Sequence, residues 1–205
     1  MKFTLPAKHF AALALASLAA STAFAEGSAQ AGQAKSATCV ACHGVDGNSV
    51  NPEWPTIAGQ HSGYIVKQLK AFKTGARQNG LMSPMAQPLS DQDVEDLAAY
   101  FSTQTARGGE ADKGKVDVGQ KLYRGGNTTS AVAACIACHG PNGRGNVAAG
   151  YPSIRGQHAK YVELQLAAYK SGQRGTDPNK MMRDVASRLS AEEIAAVAAY
   201  VQGLR

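Results

Sequence analysis

Long apolar runs are missing from this 205-residue chain after its first 25 residues. A bilayer span needs about 20 consecutive strongly apolar residues, so nothing downstream reads as a transmembrane helix. Aromatic side chains are scarce at 6%, which is thin for a core that must hold by apolar packing alone. No segment alternates apolar and polar residues with period two for long enough to make a strand. That excludes a sheet-built fold and predicts an all-α one. A strong charge of either sign is also absent: 21 basic residues face 15 acidic ones, a net +6, too mild to point to nucleic acid. Cysteine is confined to positions 39, 42, 135 and 138.

What is present begins with a leader. Lys2 and Lys8 form a basic start, Phe10 to Phe24 is rich in Ala and Leu, and Ala23-Phe24-Ala25 supplies a small-x-small cleavage pattern. The pattern predicts a signal peptide over residues 1–25, cut after Ala25, and an exported, periplasmic mature chain of 180 residues. An uncleaved anchor is the alternative, disfavoured by how short and Ala-rich the run is. Loss of Lys2 and Lys8 leaves 19 basic against 15 acidic residues, unevenly placed. Residues 26–105 carry −2 and residues 117–205 carry +5. An acidic half and a basic half should dock differently.

The chain is also a duplicate. Trp54 to Leu69 (WPTIAGQHSGYIVKQL) answers Tyr151 to Leu166 (YPSIRGQHAKYVELQL) at an offset of 97. Leu89 to Phe101 answers Leu189 to Val201 at an offset of 100, and a Gly-Gln pair precedes each cysteine pair at Gly32-Gln33 and Gly119-Gln120. Two copies mean a doubled domain and not a solenoid. The expected organisation is a first domain over 26–105, a polar Gly-rich linker over 106–116 and a second domain over 117–205. Ser90 with Asp93, and Ser190 with Glu193, predict capped helix starts. Tyr64 to Lys73 and Tyr161 to Lys170 predict a second pair of helices, stopped by Gly75 and Gly172.

All four cysteines fall in two Cys-x-x-Cys-His runs, CVACH at 39–43 and CIACH at 135–139. Disulfides are the ordinary reading of cysteines in an exported chain, and zinc is a second. The inner cysteines, however, are far apart for a zinc ribbon, and no βαβ setting suggests a thioredoxin-type pair. Covalent haem accounts for every feature: two thiols one helical turn apart reach the vinyl groups of a porphyrin and the next residue offers its imidazole to the iron. Cys39, Cys42, Cys135 and Cys138 are therefore the expected attachment residues of two haem c groups, and His43 and His139 the proximal ligands. For the distal ligand, the offset of 100 pairs Met82 with Met182, whereas Met85 falls on Val185 and Met181 on Leu81. Met82 and Met182 are the expected axial residues; Met85 and Met181 are expected to pack. His61 and His158 repeat too, but just ahead of a helix, and are expected to be hydrogen-bonding or exposed. Pro55 and Pro152 could offer carbonyls to the proximal histidines, and Tyr64 with Gln68, like Tyr161 with Gln165, could meet a propionate.

Two CxACHG motifs, two P-x-I-x-GQ loops and two Met-to-LS endings, spanning the whole mature chain, resemble the dihaem cytochrome c4 family. The resemblance implies two tandem class I cytochrome c domains about a pseudo-twofold axis, with His/Met-ligated haems on His43, Met82, His139 and Met182. It implies single-electron transfer from respiratory donors toward a terminal oxidase, with no catalysis of its own, at times loosely held at a membrane. Family members commonly lack a His in the first GQ loop, which sets His61 apart. Two other functions share the haem chemistry. One is an electron-accepting subunit of an exported dehydrogenase. The other is a dihaem peroxidase, disfavoured because both halves offer a distal Met.

Overall fold

The computed structural model describes Met1 and residues 27–205; the rest of the expected leader lies outside the described residues. Among the described residues each half holds five α-helices in the same order, and the second adds a 3-10 turn at Pro178–Lys180. In the first they are α1 (Ala29–Lys35), α2 (Ala37–His43), α3 (Ser62–Lys73), α4 (Met82–Ala86) and α5 (Asp91–Ser102). In the second they are α6 (Val116–Gly125), α7 (Ile136–His139), α8 (Ala159–Lys170), α9 (Met181–Ser187) and α10 (Ala191–Gly203). Among the described residues there is no strand, only isolated bridges at Asn127 with Val132 and Asn146 with Tyr151. None of these helices is long and apolar enough to cross a membrane.

Both expected capping boxes form: Ser90 and Ser190 accept from the backbone N–H of Asp93 and Glu193, whose carboxylates reach back to the cap. Helices α3 and α8 begin two residues before their expected starts, at Ser62 and Ala159. The repeated Gly-Gln has a packing reason. A Cβ on Gly32 would stand 2.0 Å from the carbonyl oxygen of Asp96, and one on Gly119 would stand 2.1 Å from that of Ala196. Only glycine lets α1 cross α5, and α6 cross α10, at backbone contact.

The two cores differ in size. In the first, Ile65, Leu97, Ala98, Tyr100 and Phe101 are buried together. In the second, the cluster runs from Leu122 and Tyr123 through Leu166, Leu189, Val197, Tyr200 and Val201 to Leu204. The first half adds a polar clamp that the second lacks. Asp96, buried in α5, accepts from Ser28 N at 2.8 Å and from Lys35 Nζ at 2.7 Å, and Lys35 also pairs with Asp93 at 2.6 Å. The corresponding residue of α10 is Ala196. Hydrogen bonds from Lys35, then Ser28 and Gln92, hold the Asp96 carboxyl down at about 2.

A depressed carboxylate pKa contributes stability that is present above the unfolded value and lost as pH falls toward the folded one. The thermal midpoint of the first half is expected to drop between about pH 4 and pH 2. Asp96→Asn should lower the midpoint at neutral pH and flatten that acid limb, read by thermal unfolding across pH; an unchanged acid limb would rule the clamp out as its cause.

Candidate functional site

Helix geometry gathers the Cys-x-x-Cys-His residues. Cys39, Cys42 and His43 lie at i, i+3 and i+4 within α2 and so share one face. In the second half Cys135 keeps helical angles (φ −61°, ψ −33°) as the residue before α7, with Cys138 and His139 following. Gly44 and Gly140 end these helices at φ +78° and +74°, a conformation that side chains rarely adopt. A Cβ on Gly44 would also come 2.4 Å from the Asn48 carbonyl oxygen. The chain therefore reverses directly after each histidine. All four cysteines are free, half-buried thiols, and burial pushes the Cys135 thiol up to about 11.

His43 and His139 are both buried. His43 Nδ1 lies 2.9 Å from the carbonyl of Pro55, and His139 Nδ1 lies 3.0 Å from that of Pro152. A carbonyl oxygen only accepts, so each Nδ1 carries the proton and each Nε2 keeps its lone pair. Burial lowers the pKa of both rings, against the opposing hydrogen bond, and so favours neutral imidazole. A neutral ring with a fixed tautomer and a free Nε2 is the form that ligates a metal. The segment after each histidine is further tied down by a tyrosine hydroxyl: Tyr100 donates to the Val45 carbonyl, and Tyr123 to that of Gly140. These tyrosines come from non-equivalent helices, so the two halves reach one end by different side chains.

The four methionines occupy different surroundings. Met182 packs on the second core together with Cys135. Met82, half-buried at the start of α4, has its N–H bound by Asn79 Oδ1 at 2.9 Å and is not among the residues packed on the first core. Met181 is engaged elsewhere, with the Tyr151 hydroxyl 3.8 Å from its sulfur. Met85, expected to pack, is 43% exposed instead, and Ala86 is the residue of α4 that is buried.

The junction between the halves holds residues that the sequence reading undervalued. Gln60 donates to the Ser153 carbonyl and accepts from its N–H, and Gln157 does the same with Thr56. Tyr64, Gln68, Tyr161 and Gln165 meet two arginines. Arg77 binds Gln68 of its own half, then Tyr161 and Gln165 of the other. Arg174 binds Gln165 of its own half, then Tyr64 and Gln68 of the other. Each guanidinium also covers a ring at 4.6 Å, Phe72 for Arg77 and Tyr169 for Arg174. Their recurrence at the offset of 97 was the signal available in the sequence.

Arg77 and Arg174 are 9% and 5% exposed, yet every hydrogen-bond partner among the described residues is neutral. Buried charge without a counter-charge costs several kcal/mol per ion. Arg174 Nε and Thr176 Oγ1 are moreover buried without any partner among the described residues. A group bearing carboxylates would satisfy both deficits. The donor set of free thiols, neutral imidazoles and orphaned cationic donors therefore fits haem, whose propionates are such carboxylates.

Comparison with known proteins agrees. The Cytochrome c family model matches residues 25–105 and 116–205. The chain is thus a helical protein of two tandem cytochrome c domains, a class that carries covalent haem c, here two groups, and transfers electrons. Cytochrome c4 of Thiocapsa roseopersicina is 51% identical over 180 residues, covering 87% of this chain and 93% of that one. The crystal structure of reduced recombinant cytochrome c4 from Pseudomonas stutzeri superposes with a TM-score of 0.85 at 46% identity, covering 87% of this chain and all of that one. The chain belongs to the cytochrome c4 family. It is also 38% identical, over 194 residues, to a protein of Thiomonas intermedia named thiosulfate dehydrogenase electron acceptor, covering 92% of this chain and 88% of that one.

Gln68 is the acceptor that both arginines share. Gln68→Leu should cost about 1–3 kcal/mol by leaving buried donors unpaired, measured by denaturant unfolding. About half of that loss should disappear in an Arg174→Leu background, where one of the two donors is already gone and only Arg77 is left to be unpaired.

Proposed function

We propose that this chain is a periplasmic dihaem carrier of single electrons between respiratory-chain donors and a terminal oxidase. Cys39 and Cys42 hold one haem, and Cys135 and Cys138 the other. His43 with Met82, and His139 with Met182, would hold the iron of each haem. The observation that carries this reading is the duplicated bond from histidine Nδ1 to a proline carbonyl, at 2.9 and 3.0 Å. The bound iron would supply one-electron ferrous/ferric chemistry. The chain's own contribution is to fix each imidazole through Pro55 or Pro152, to bury it, and to answer propionates with Arg77 and Arg174. Export under the leader of residues 1–25, and loose attachment to an anionic membrane surface aided by the mature charge of +4, belong to the same proposal.

A second reading differs only in the donor: the chain accepts electrons from an exported dehydrogenase. The likeness to the Thiomonas intermedia acceptor favours it. Reduction of the purified protein by a thiosulfate-oxidising enzyme, against reduction by a membrane quinol-oxidising complex, separates the two by rate.

Met82→Ala and Met182→Ala should each remove the methionine–iron charge-transfer band of one low-spin haem, and together of both. Retention of the band in the double variant, or its loss in Met85→Ala or Met181→Ala, would overturn the axial assignment. Charge orders the two centres as well. Positive surroundings favour the less positive, reduced state. Arg77 and Arg174 both sit at the shared junction and so largely cancel in the comparison. The +5 half should therefore hold the higher-potential centre and the −2 half the lower. Spectroelectrochemical titration of the two axial variants checks this order; a higher potential in the first half would contradict it.

A further inference from the structure

The junction is reciprocal in its glutamines and arginines but not in its histidines. His158 Nε2 lies 2.8 Å from the Ser49 carbonyl and so donates to it, sealing one side of the junction. The corresponding bond on the other side would run from His61 to the carbonyl of Gly145. His61 makes no side-chain hydrogen bond among the described residues. In place of a seal there is a cleft of about 280 Å³, lined by Gly59, His61, Thr105, Arg144, Ser153 and Arg155, among others.

The sequence difference behind this is local. Between each Cys-x-x-Cys-His run and the following aromatic-Pro pair (Trp54-Pro55, Tyr151-Pro152), the second half has one residue more than the first. Its loop closes on itself through the Asn146–Tyr151 bridge. Counting from the histidine, Arg144 stands where the first half has Asn48. Counting from the proline, Arg155 stands where it has Ala58. Asn48 is engaged with Thr105 and Arg107. Neither guanidinium, by contrast, has a hydrogen-bond or ion-pair partner among the described residues, and no carboxylate lines the cleft. Two unpaired cations facing one cleft repel each other until an anion enters, the His61 ring N–H adds a further donor, and guanidiniums match oxyanions in geometry as well as charge.

We propose that this cleft binds a small oxyanion or carboxylate, held by Arg144 and Arg155 of the second half and by His61 of the first. The anion then completes on this side the contact that His158 and Ser49 make on the other. It bridges the halves and raises their joint stability by mass action.

The test uses the reduced holoprotein at constant ionic strength, with chloride replaced stepwise by inorganic phosphate and, separately, by succinate. The His61 ring resonances and the thermal midpoint are followed together. A saturable shift at His61 with a rise in midpoint is expected, while the His158 signal stays still. Arg144→Gln should weaken the binding about tenfold or more, the scale of one lost charge-assisted bond. Arg144 is exposed and makes no side-chain bond, so its removal should leave the fold intact. Arg155→Gln should weaken it comparably. Saturation by phosphate assigns an inorganic oxyanion, and saturation by succinate alone assigns a carboxylate. A response to neither anion, or one of equal affinity in the Arg144→Gln, Arg155→Gln double variant, would overturn the proposal.

Discussion

Arg77 and Arg174 are buried where the halves meet, and no carboxylate of the described residues neutralises them. Each is held mainly by the other half's tyrosine and glutamine, so neither half completes its own polar interior alone. This constraint explains why helix packing stays within each half while the junction is built from side-chain hydrogen bonds. It also ties the cofactor to the architecture. A carboxylate-bearing group would supply the missing negative charge, which would link its binding to the docking of the halves.

Duplication supplied two equal units, and the molecule has since used them unequally. The first half has a small apolar cluster supplemented by the Lys35–Asp96 clamp, while the second relies on a larger cluster with Ala196 in the clamp's place. The stretch before Met82 and Met182 differs too. In the first half Asn79 binds the helix start directly. In the second, Asp177 binds Arg183, and Asn179 and Lys180 take left-handed angles of φ +51° and +59°. Since ligand loops and nearby charge set a haem's potential, such differences would separate the potentials of two like centres.

Much of the candidate site was legible because its chemistry is local. The Cys-x-x-Cys-His spacing fits one helical turn, and the histidine–proline pairing repeated in register. The capping boxes of α5 and α10 needed only a serine and an acidic residue three positions on. Helices α1 and α6 were not legible: their decisive residue is a glycine, which signals a break until the backbone it crosses is in view. Tyr64 and Gln68, with their repeats, were correctly placed near one another on one helix face. That their partners are arginines from across the junction depends on chain segments over eighty residues away.

By itself, the sequence determined the helical class, the doubling, and the thiols and imidazoles of the candidate site, because each is written in contiguous residues at short spacing. Only the tertiary structure decided that the two arginines interlock, that His158 seals one side, and that His61 faces an open cationic cleft. Those contacts join residues far apart in the chain. Their geometry follows from how two nearly equal surfaces meet, and one extra residue in a loop was enough to make them unequal.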